Sequence, residues 1–247
     1  MTQAQQCSFN FSHFQRIFET ALEHGYQIVT LADYFSGRVA QSDKVLVNRM
    51  DVDLAPDRLW EIGKIFRALG ICGSLYFRLH APTYNLLRFD TISMVRWLAD
   101  GGNEIGLHAE MEDVRQLCGL DPTRALQAAL TIFRDALGCP VAGVSSHGDA
   151  TGYNNLHFWN NYPLADFGLQ YEAYDERLWG HCRYVSDSNH AWKAYDNGKL
   201  RTGDTRCICQ HIAEGPRLIY LTTHTDSFYW RYVHEGNVPS PAMVAVI

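Results

Sequence analysis

Acidic and histidine side chains recur where apolar segments of this chain end. In VLVNRMDVD (residues 45–53), Asp51 and Asp53 follow a run typical of a buried strand. Residues two apart on a strand face the same side, about 7 Å apart. Two carboxylates so placed repel each other unless a cation, a shared proton or hydrogen-bond donors compensate them. Alternatively, the strand ends earlier and the acids cap the helix that follows.

Three further apolar segments end in the same kinds of side chain. These segments are NEIGLHAE, VAGVSSHGD and RLIYLTTHT, and their terminal residues are His108, Glu110, His147, Asp149 and His224. Aspartate and neutral histidine are common ligands of zinc and other divalent ions, often with one position left open for water. We therefore expect Asp53, His108 and His147 to hold a metal. Asp51 would be the base, and His224 the acid that protonates the leaving group.

Helical and strand patterns alternate along the chain and predict the scaffold for these residues. Apolar residues at helical spacing indicate helices over residues 11–24, 56–70, 88–102 and 121–138, with short apolar strands between them. Such alternation is typical of an α/β fold with parallel strands, either a barrel or a doubly wound sheet. A glycine-rich dinucleotide fingerprint is absent from the sequence. In a barrel, all the strand ends named above would lie on one rim.

Length and composition narrow the function classes. The 247 residues, without a repeat or a linker-like stretch, predict one domain over 1–247. A net charge of -6 argues against nucleic acid as a partner, and no apolar run predicts a membrane span. The first fourteen residues lack the pattern of a signal peptide, so we expect a cytoplasmic protein with reduced cysteines. The Cys-Ile-Cys segment at 207–209 lacks zinc-ribbon spacing, and His13 has no evident companion in the sequence.

Several motifs together resemble the polysaccharide deacetylase-like proteins, the NodB-homology group of carbohydrate esterase family 4, in a divergent bacterial branch. They are MDVDLAP, GGNEIGLHAE, VSSHGD, RYVSDSNHAW and LTTHTDSFYW, and the resemblance spans about residues 20 to 230. It implies an irregular (β/α) barrel, usually of seven strands, that removes N- or O-acyl groups from sugars with a divalent metal. Zinc is the first expectation for that metal, with cobalt, nickel or manganese as alternatives. The resemblance assigns Asp51 as base, Asp53 and His108 as metal ligands, and His224 as acid.

This chain departs from the family pattern at two places. Glu112 stands where members carry a second histidine, and SSHGDATGYNN replaces an Arg-Pro-Tyr segment. His147 would then supply the missing imidazole, and Glu110 and Glu112 are alternative ligands or parts of a solvated acidic turn. The resemblance also places Asp187 and Trp192 near the acid and the substrate. Arg49 would contact substrate, hold Asp51 ionised, or cover a strand edge.

We thus expect a metal-dependent hydrolase that uses metal-activated water to deacylate a sugar or a surface-polysaccharide precursor. One rival hypothesis is a catalytically silent carbohydrate-binding member of the same fold, because of the two departures. Another is a related amide hydrolase or deformylase that uses the same groups. Metal content separates the silent protein from the two enzymes. The exact substrate and the oligomeric state stay open.

Overall fold

The computed structural model describes residues 8–39, 44–148 and 151–230. Its helices are α1 Phe11–Glu23, α2 Leu31–Phe35, α3 Leu59–Leu69, α4 Phe89–Asp100, α5 Met111–Cys118, α6 Pro122–Thr131, α7 Glu176–Trp179 and α8 Ile208–Glu214. Its strands are β1 Gln27–Val29, β2 Val45–Val52, β3 Ser74–Phe77, β4 Glu104–Ala109, β5 Gly143–Ser146, β6 Tyr171–Glu172, β7 Arg183–Ser186, β8 Lys193–Asp196, β9 Lys199–Leu200 and β10 Leu218–His224. Within these ranges, no helix is long and apolar enough to cross a membrane.

The strands form one predominantly parallel sheet, which confirms the predicted α/β class. The order β6-β5-β4-β3-β2-β10-β7 contains seven strands, and each pairs in parallel with its neighbour. Strand β1 adds a parallel pairing to the start of β2, and β8 and β9 extend the other end in antiparallel fashion. Across the described strands, β6 and β7 are not hydrogen-bonded to each other, so the ring of seven is open there.

Side chains show that this sheet is curved around an interior. Arg49 on β2 donates a hydrogen bond to the Ser145 hydroxyl on β5, three strands away in the sheet order. At the open side, the rings of Tyr174 and Tyr184 lie with centroids 6.3 Å apart and bridge the ends of β6 and β7. These contacts agree with the irregular barrel that was expected.

Strand β2 explains how the site residues are aimed. All eight of its residues are buried, as expected for a parallel strand covered on both faces. Leu46, Met50 and Val52 pack into the core between the sheet and the helices, whereas Val45 and Val47 belong to the interior cluster of tyrosines. Period-two alternation therefore turns Arg49 and Asp51 inward, on the same side as Val45 and Val47.

Two glycines make room for large side chains in this interior. A Cβ atom on Gly106 would lie 2.4 Å from the ring of Tyr76, and one on Gly143 would lie 2.2 Å from the ring of Tyr171. Both separations are far shorter than a van der Waals contact, and both rings are fully buried. The missing side chains on β4 and β5 thus allow the tyrosines of β3 and β6 to fill the space.

A buried glutamate lies at the other end of the interior from the predicted site. Glu104, the first residue of β4, accepts hydrogen bonds from the Ala32 amide at 2.9 Å and the Ser74 hydroxyl at 2.6 Å. The hydroxyls of Tyr76 and Tyr171 donate to its other oxygen. Burial raises the pKa of Glu104 to about 7 despite these donors.

We expect Glu104 to make stability fall as pH rises. The unfolded carboxyl loses its proton near pH 4.5, while the folded one keeps it to about pH 7, so unfolding becomes easier across this window. A shift of this size corresponds to about 3 kcal/mol. The free energy of unfolding, measured in urea, should fall less between pH 5 and pH 8 in Glu104→Gln than in the wild type. Equal losses in both proteins would contradict this, and Glu23→Gln, on an exposed helix face, is the matched control.

Candidate functional site

The predicted site residues converge at the carboxyl end of the parallel strands. Asp51 is the second-last residue of β2, and Asp53 follows that strand directly. His108 is on β4, His147 comes one residue after β5, and His224 is the last residue of β10. The strand pairing runs in the order β5-β4-β3-β2-β10, so these residues come from nearby strands and point to one end of the interior. Asp149 lies outside the described residues.

Asp53, His108 and His147 form a cluster with the geometry of a metal site. Their ligand atoms all lie within 4.8 Å of one another. The Asp53 Oδ1 atom is 3.4 Å from His108 Nε2 and 3.6 Å from His147 Nε2. His108 Nδ1 is 2.8 Å from the Ser145 carbonyl oxygen, so this nitrogen carries the proton and Nε2 presents a lone pair towards Asp53.

Some buried polar atoms around this cluster have no hydrogen-bond partner in the part of the chain that the structure describes. Asp53 Oδ1 is buried and has no hydrogen-bond partner among the described residues. The same holds for His147 Nδ1, but this nitrogen faces Glu110 at 3.9 Å, whereas Nε2 faces Asp53. Buried polar atoms without a partner are uncommon and call for an explanation. Burial lowers the pKa of His147, and protonation of the neighbouring His108 would lower it further, so the neutral, metal-binding form of His147 is favoured. One carboxylate and two neutral imidazoles facing a common point are the donor set that fits a divalent ion such as zinc.

Asp51 is held by an arginine inside the barrel. Arg49 donates from Nε to one carboxylate oxygen at 2.9 Å and from Nη2 to the other at 2.6 Å. Arg49 also donates to the Tyr220 hydroxyl at 2.9 Å, and it is completely buried. Burial opposes ionisation of Asp51, but the charge of Arg49 outweighs it and holds the pKa of this carboxyl well below its usual range. Asp51 is therefore an ionised carboxylate beside the metal-type cluster.

His224 is oriented by a second buried acid. Asp187 accepts hydrogen bonds from His224 Nδ1 at 2.6 Å and from the His224 backbone amide at 3.0 Å. Burial would lower the pKa of His224, but the charge of Asp187 and this hydrogen bond prevail and raise it to about 10. The Nε2 atom faces Asp53, 4.0 Å from its Oδ2. A protonated imidazole thus lies beside the cluster and can donate a proton.

The two alternative acidic ligands have partners of their own. Glu110 accepts from Arg78 Nε at 2.9 Å and from Arg78 Nη2 at 2.5 Å, and it lies 3.9 Å from His147 Nδ1. Glu112 is on α5 and pairs with Arg115 one turn later on that helix. The chain turns into α5 immediately after Glu110, and Glu112 is not part of the cluster around Asp53. Glu110 belongs to a neighbouring group with Asp113 and His147, whose ligand atoms also lie within 4.8 Å of one another, whereas Glu112 is outside both groups. His147 therefore lies between the two groups, and Glu112 is the weaker of the two acidic alternatives.

The residues predicted to bind substrate lie behind the site. Arg49 and Asp187 have no exposed surface and hold Asp51 and His224, which favours positioning over direct substrate contact. Trp192 is also buried, and its ring stacks on Phe9 with centroids 5.4 Å apart. Arg49 and Asp187 therefore support the site, and Trp192 is part of the hydrophobic core.

One residue that the sequence analysis did not single out fixes the loop that carries His147. Asn155 accepts from the backbone amides of Glu112 and Asp113, and its side-chain amide donates to Asp113 and to the His147 carbonyl oxygen. It is almost completely buried. Asn155 therefore connects the start of α5 to the loop that follows β5.

Comparisons with known proteins give matches among solved structures alone. No family model matches the chain, and no curated protein does. IcaB from Ammonifex degensii matches with a TM-score of 0.45 and 15% identity over 66% of this chain and 74% of that one. The Streptococcus pyogenes deacetylase PplD, in complex with acetate, matches with 0.49 and 11% over 87% and 80%. A mutant of a carbohydrate esterase family 4 pseudoenzyme, with restored activity, matches with 0.44 and 12% over 74% and 58%.

One of these descriptions, that of the pseudoenzyme, names carbohydrate esterase family 4. With identities of 11–15% and TM-scores below 0.5, these matches carry no evidence about the activity of this chain.

Proposed function

We propose that this protein is a metal-dependent hydrolase that removes an N- or O-acyl group from a sugar or a polysaccharide precursor. The observation that carries the proposal is the cluster of Asp53, His108 and His147 between an ionised carboxylate, Asp51, and a protonated imidazole, His224. Hydrolysis of an amide or ester needs a base, an acid and stabilisation of developing negative charge. These five side chains offer all three functions at one place.

Asp53, His108 and His147 would hold the divalent ion, with zinc as the first choice because imidazole and carboxylate suit it. When bound, such an ion polarises an acyl oxygen and lowers the pKa of water. Asp51 accepts the proton of the attacking water, and Arg49 keeps its carboxylate oriented and charged. His224 gives its proton to the departing amine or alcohol, and Asp187 keeps its ring in place. Cobalt, nickel or manganese would satisfy the same ligands.

The substrate class comes from the motif resemblance, which implies acyl groups on carbohydrate. The proposed base and acid would act on an acyl carbonyl. They do not distinguish a sugar amide from a sugar ester, because hydrolysis of both needs the same two groups. A panel of substrates must therefore include an N-acetylated chito-oligosaccharide, an O-acetylated sugar and a simple formamide. Preference for the formamide would support the related deformylase instead of a carbohydrate deacylase.

His147→Ala and Glu112→Ala test the proposal together. We expect the wild type, loaded with zinc or cobalt, to release acetate from an acetylated sugar of the panel, and a chelator to stop the release. His147→Ala should bind the ion at least about 10-fold more weakly and lose turnover, since it removes one of three protein ligands. Glu112→Ala should retain both properties, because Glu112 pairs with Arg115 outside the cluster. Elemental analysis, equilibrium dialysis and an acetate assay measure these effects.

If Glu112→Ala loses the ion and His147→Ala keeps it, Glu112 is the third ligand. A different outcome is that the cluster binds none of the ions supplied while the protein still binds sugar in the presence of a chelator. That result would contradict the hydrolase and support a catalytically silent carbohydrate-binding protein.

A further inference from the structure

A second group of metal-ligating side chains lies where α1 and α8 begin. His13 is on the first turn of α1, Cys207 precedes α8, and Cys209 is the second residue of α8. Their ligand atoms all lie within 4.8 Å of one another, and His13 Nε2 is 3.1 Å from Cys207 Sγ. His13 and Cys207 are 194 residues apart in the sequence, so the fold alone brings them together.

Local structure fixes the backbone of each residue. The Asn10 side chain caps α1 and accepts the backbone amide of His13 at 2.7 Å. On the other side, Gln210 accepts the Cys207 amide at 3.1 Å, and Cys207 Sγ accepts the Cys209 amide at 3.4 Å. Cys207 is buried, while His13 and Cys209 are partly buried. The backbone that carries the three ligand atoms is therefore fixed by the capped first turns of α1 and α8.

The donor set differs in kind from that at Asp53. It contains two sulfurs and one imidazole and no carboxylate. Thiolate and imidazole ligands select zinc and other thiophilic ions over magnesium, calcium or manganese, and zinc sites of two cysteines and one histidine with an open fourth position are well known.

We propose that His13, Cys207 and Cys209 form a second metal site, which binds zinc and joins α1 to α8. The two helices pack directly on each other, and the ion would tie the first helix of the described chain to the helix before β10. Binding would stabilise the folded protein, because the unfolded chain does not hold these three ligands together. The site shares no residue with the Asp53 cluster, so it does not depend on the proposed function.

Cobalt is the probe that tests this site, because its bonds to thiolate produce charge-transfer absorption that carboxylate and imidazole ligands do not. Protein stripped of metal under reducing conditions should show this absorption on titration with Co²⁺, and equimolar Zn²⁺ should abolish it. A wild type without the absorption would overturn the proposal. Cobalt bound at Asp53 gives no thiolate band, so failure here and failure of the proposed hydrolase site are distinguishable.

Variants separate ligation from folding. Cys207→Ser should weaken zinc binding at this site by more than about 100-fold, yet serine still caps α8. Cys209→Ser should do the same. His13→Cys should keep the ion and strengthen the thiolate band, whereas His13→Ala should weaken binding. Cys118→Ser, at an exposed thiol, is the control. Unchanged zinc affinity in both serine variants, or failure of His13→Cys to bind while His13→Ala still binds, would refute the assignment.

Discussion

Asp53→Ala should abolish metal binding at the His108–His147 cluster and reduce turnover by at least about 1000-fold, because the bound ion supplies several kcal/mol of charge stabilisation. Asp53 is the one residue whose carboxylate lies within 4 Å of all three imidazoles of the site, at 3.4 Å from His108, 3.6 Å from His147 and 4.0 Å from His224. The other acids lie close to individual rings: Asp51 is 3.5 Å from His108 Nε2, Glu110 is 3.9 Å from His147 Nδ1 and Asp187 is 2.6 Å from His224 Nδ1.

This loss should not come from unfolding. Asp53 Oδ1 is buried without a hydrogen-bond partner among the described residues, so in metal-free protein its removal deletes an unsatisfied polar group. The midpoint of thermal unfolding, measured without metal, should therefore be unchanged or higher in Asp53→Ala. Asp57→Ala, at an exposed acid four residues later, should keep both metal and turnover. Full turnover in Asp53→Ala would remove the metal site from the mechanism.

The convergence of the site residues was predictable because it follows from strand geometry. Period-two alternation aims Arg49 and Asp51 into the interior, and parallel strands bring His108, His147 and His224 to one end. The helices at 11–24, 56–70, 88–102 and 121–138 also form, within one to three residues of the expected bounds at most ends. The last one continues as a π-helix over Ile132–Leu137, which the apolar spacing did not indicate.

The contacts that decide each role were not predictable, since they depend on which distant segments meet. The resemblance placed Asp187 near the acid, but it did not give its hydrogen bond to His224, 37 residues away. His13 meets Cys207 across 194 residues, and no pattern in the sequence connects them. The choice between His147 and Glu112 depends on α5, a helix that begins directly after β4 and turns Glu112 towards Arg115. The stretch after β1 forms a short helix, α2, whose first turn is capped by Thr30.

The interior of the barrel is arranged in levels, and this arrangement links stability to function. Tyrosines and Glu104 fill the lower level, Arg49 with Tyr220 and Ser145 fill the middle, and the acids and histidines form the upper level. For the proposed activity, the upper level is the one that would contact a substrate. Arg49 is the connection, because it bonds to Asp51 above and to the hydroxyls of Tyr220 and Ser145 beside it.

Replacement of this arginine should therefore damage stability and activity together. Arg49→Met leaves the Asp51 carboxylate buried without its partner, and breaking a buried pair on one side costs about 3–5 kcal/mol. Arg49 and Asp51 are both almost fully buried and form two charge-assisted hydrogen bonds, so this estimate applies to them. Urea unfolding should show the loss, and turnover should fall because the base is no longer oriented.

The double variant Arg49→Met, Asp51→Asn measures how much of the stability comes from the interaction between these two charges. Asp51→Asn alone should also destabilise, since it leaves the guanidinium without a charge partner. If the two charges stabilise each other, the double variant should be about 1–3 kcal/mol more stable than the sum of the single losses predicts. Turnover should not return, because the double variant has no carboxylate base. Additive losses would show that Arg49 acts through packing and its hydroxyl contacts, and that Asp51 does not depend on it for its charge.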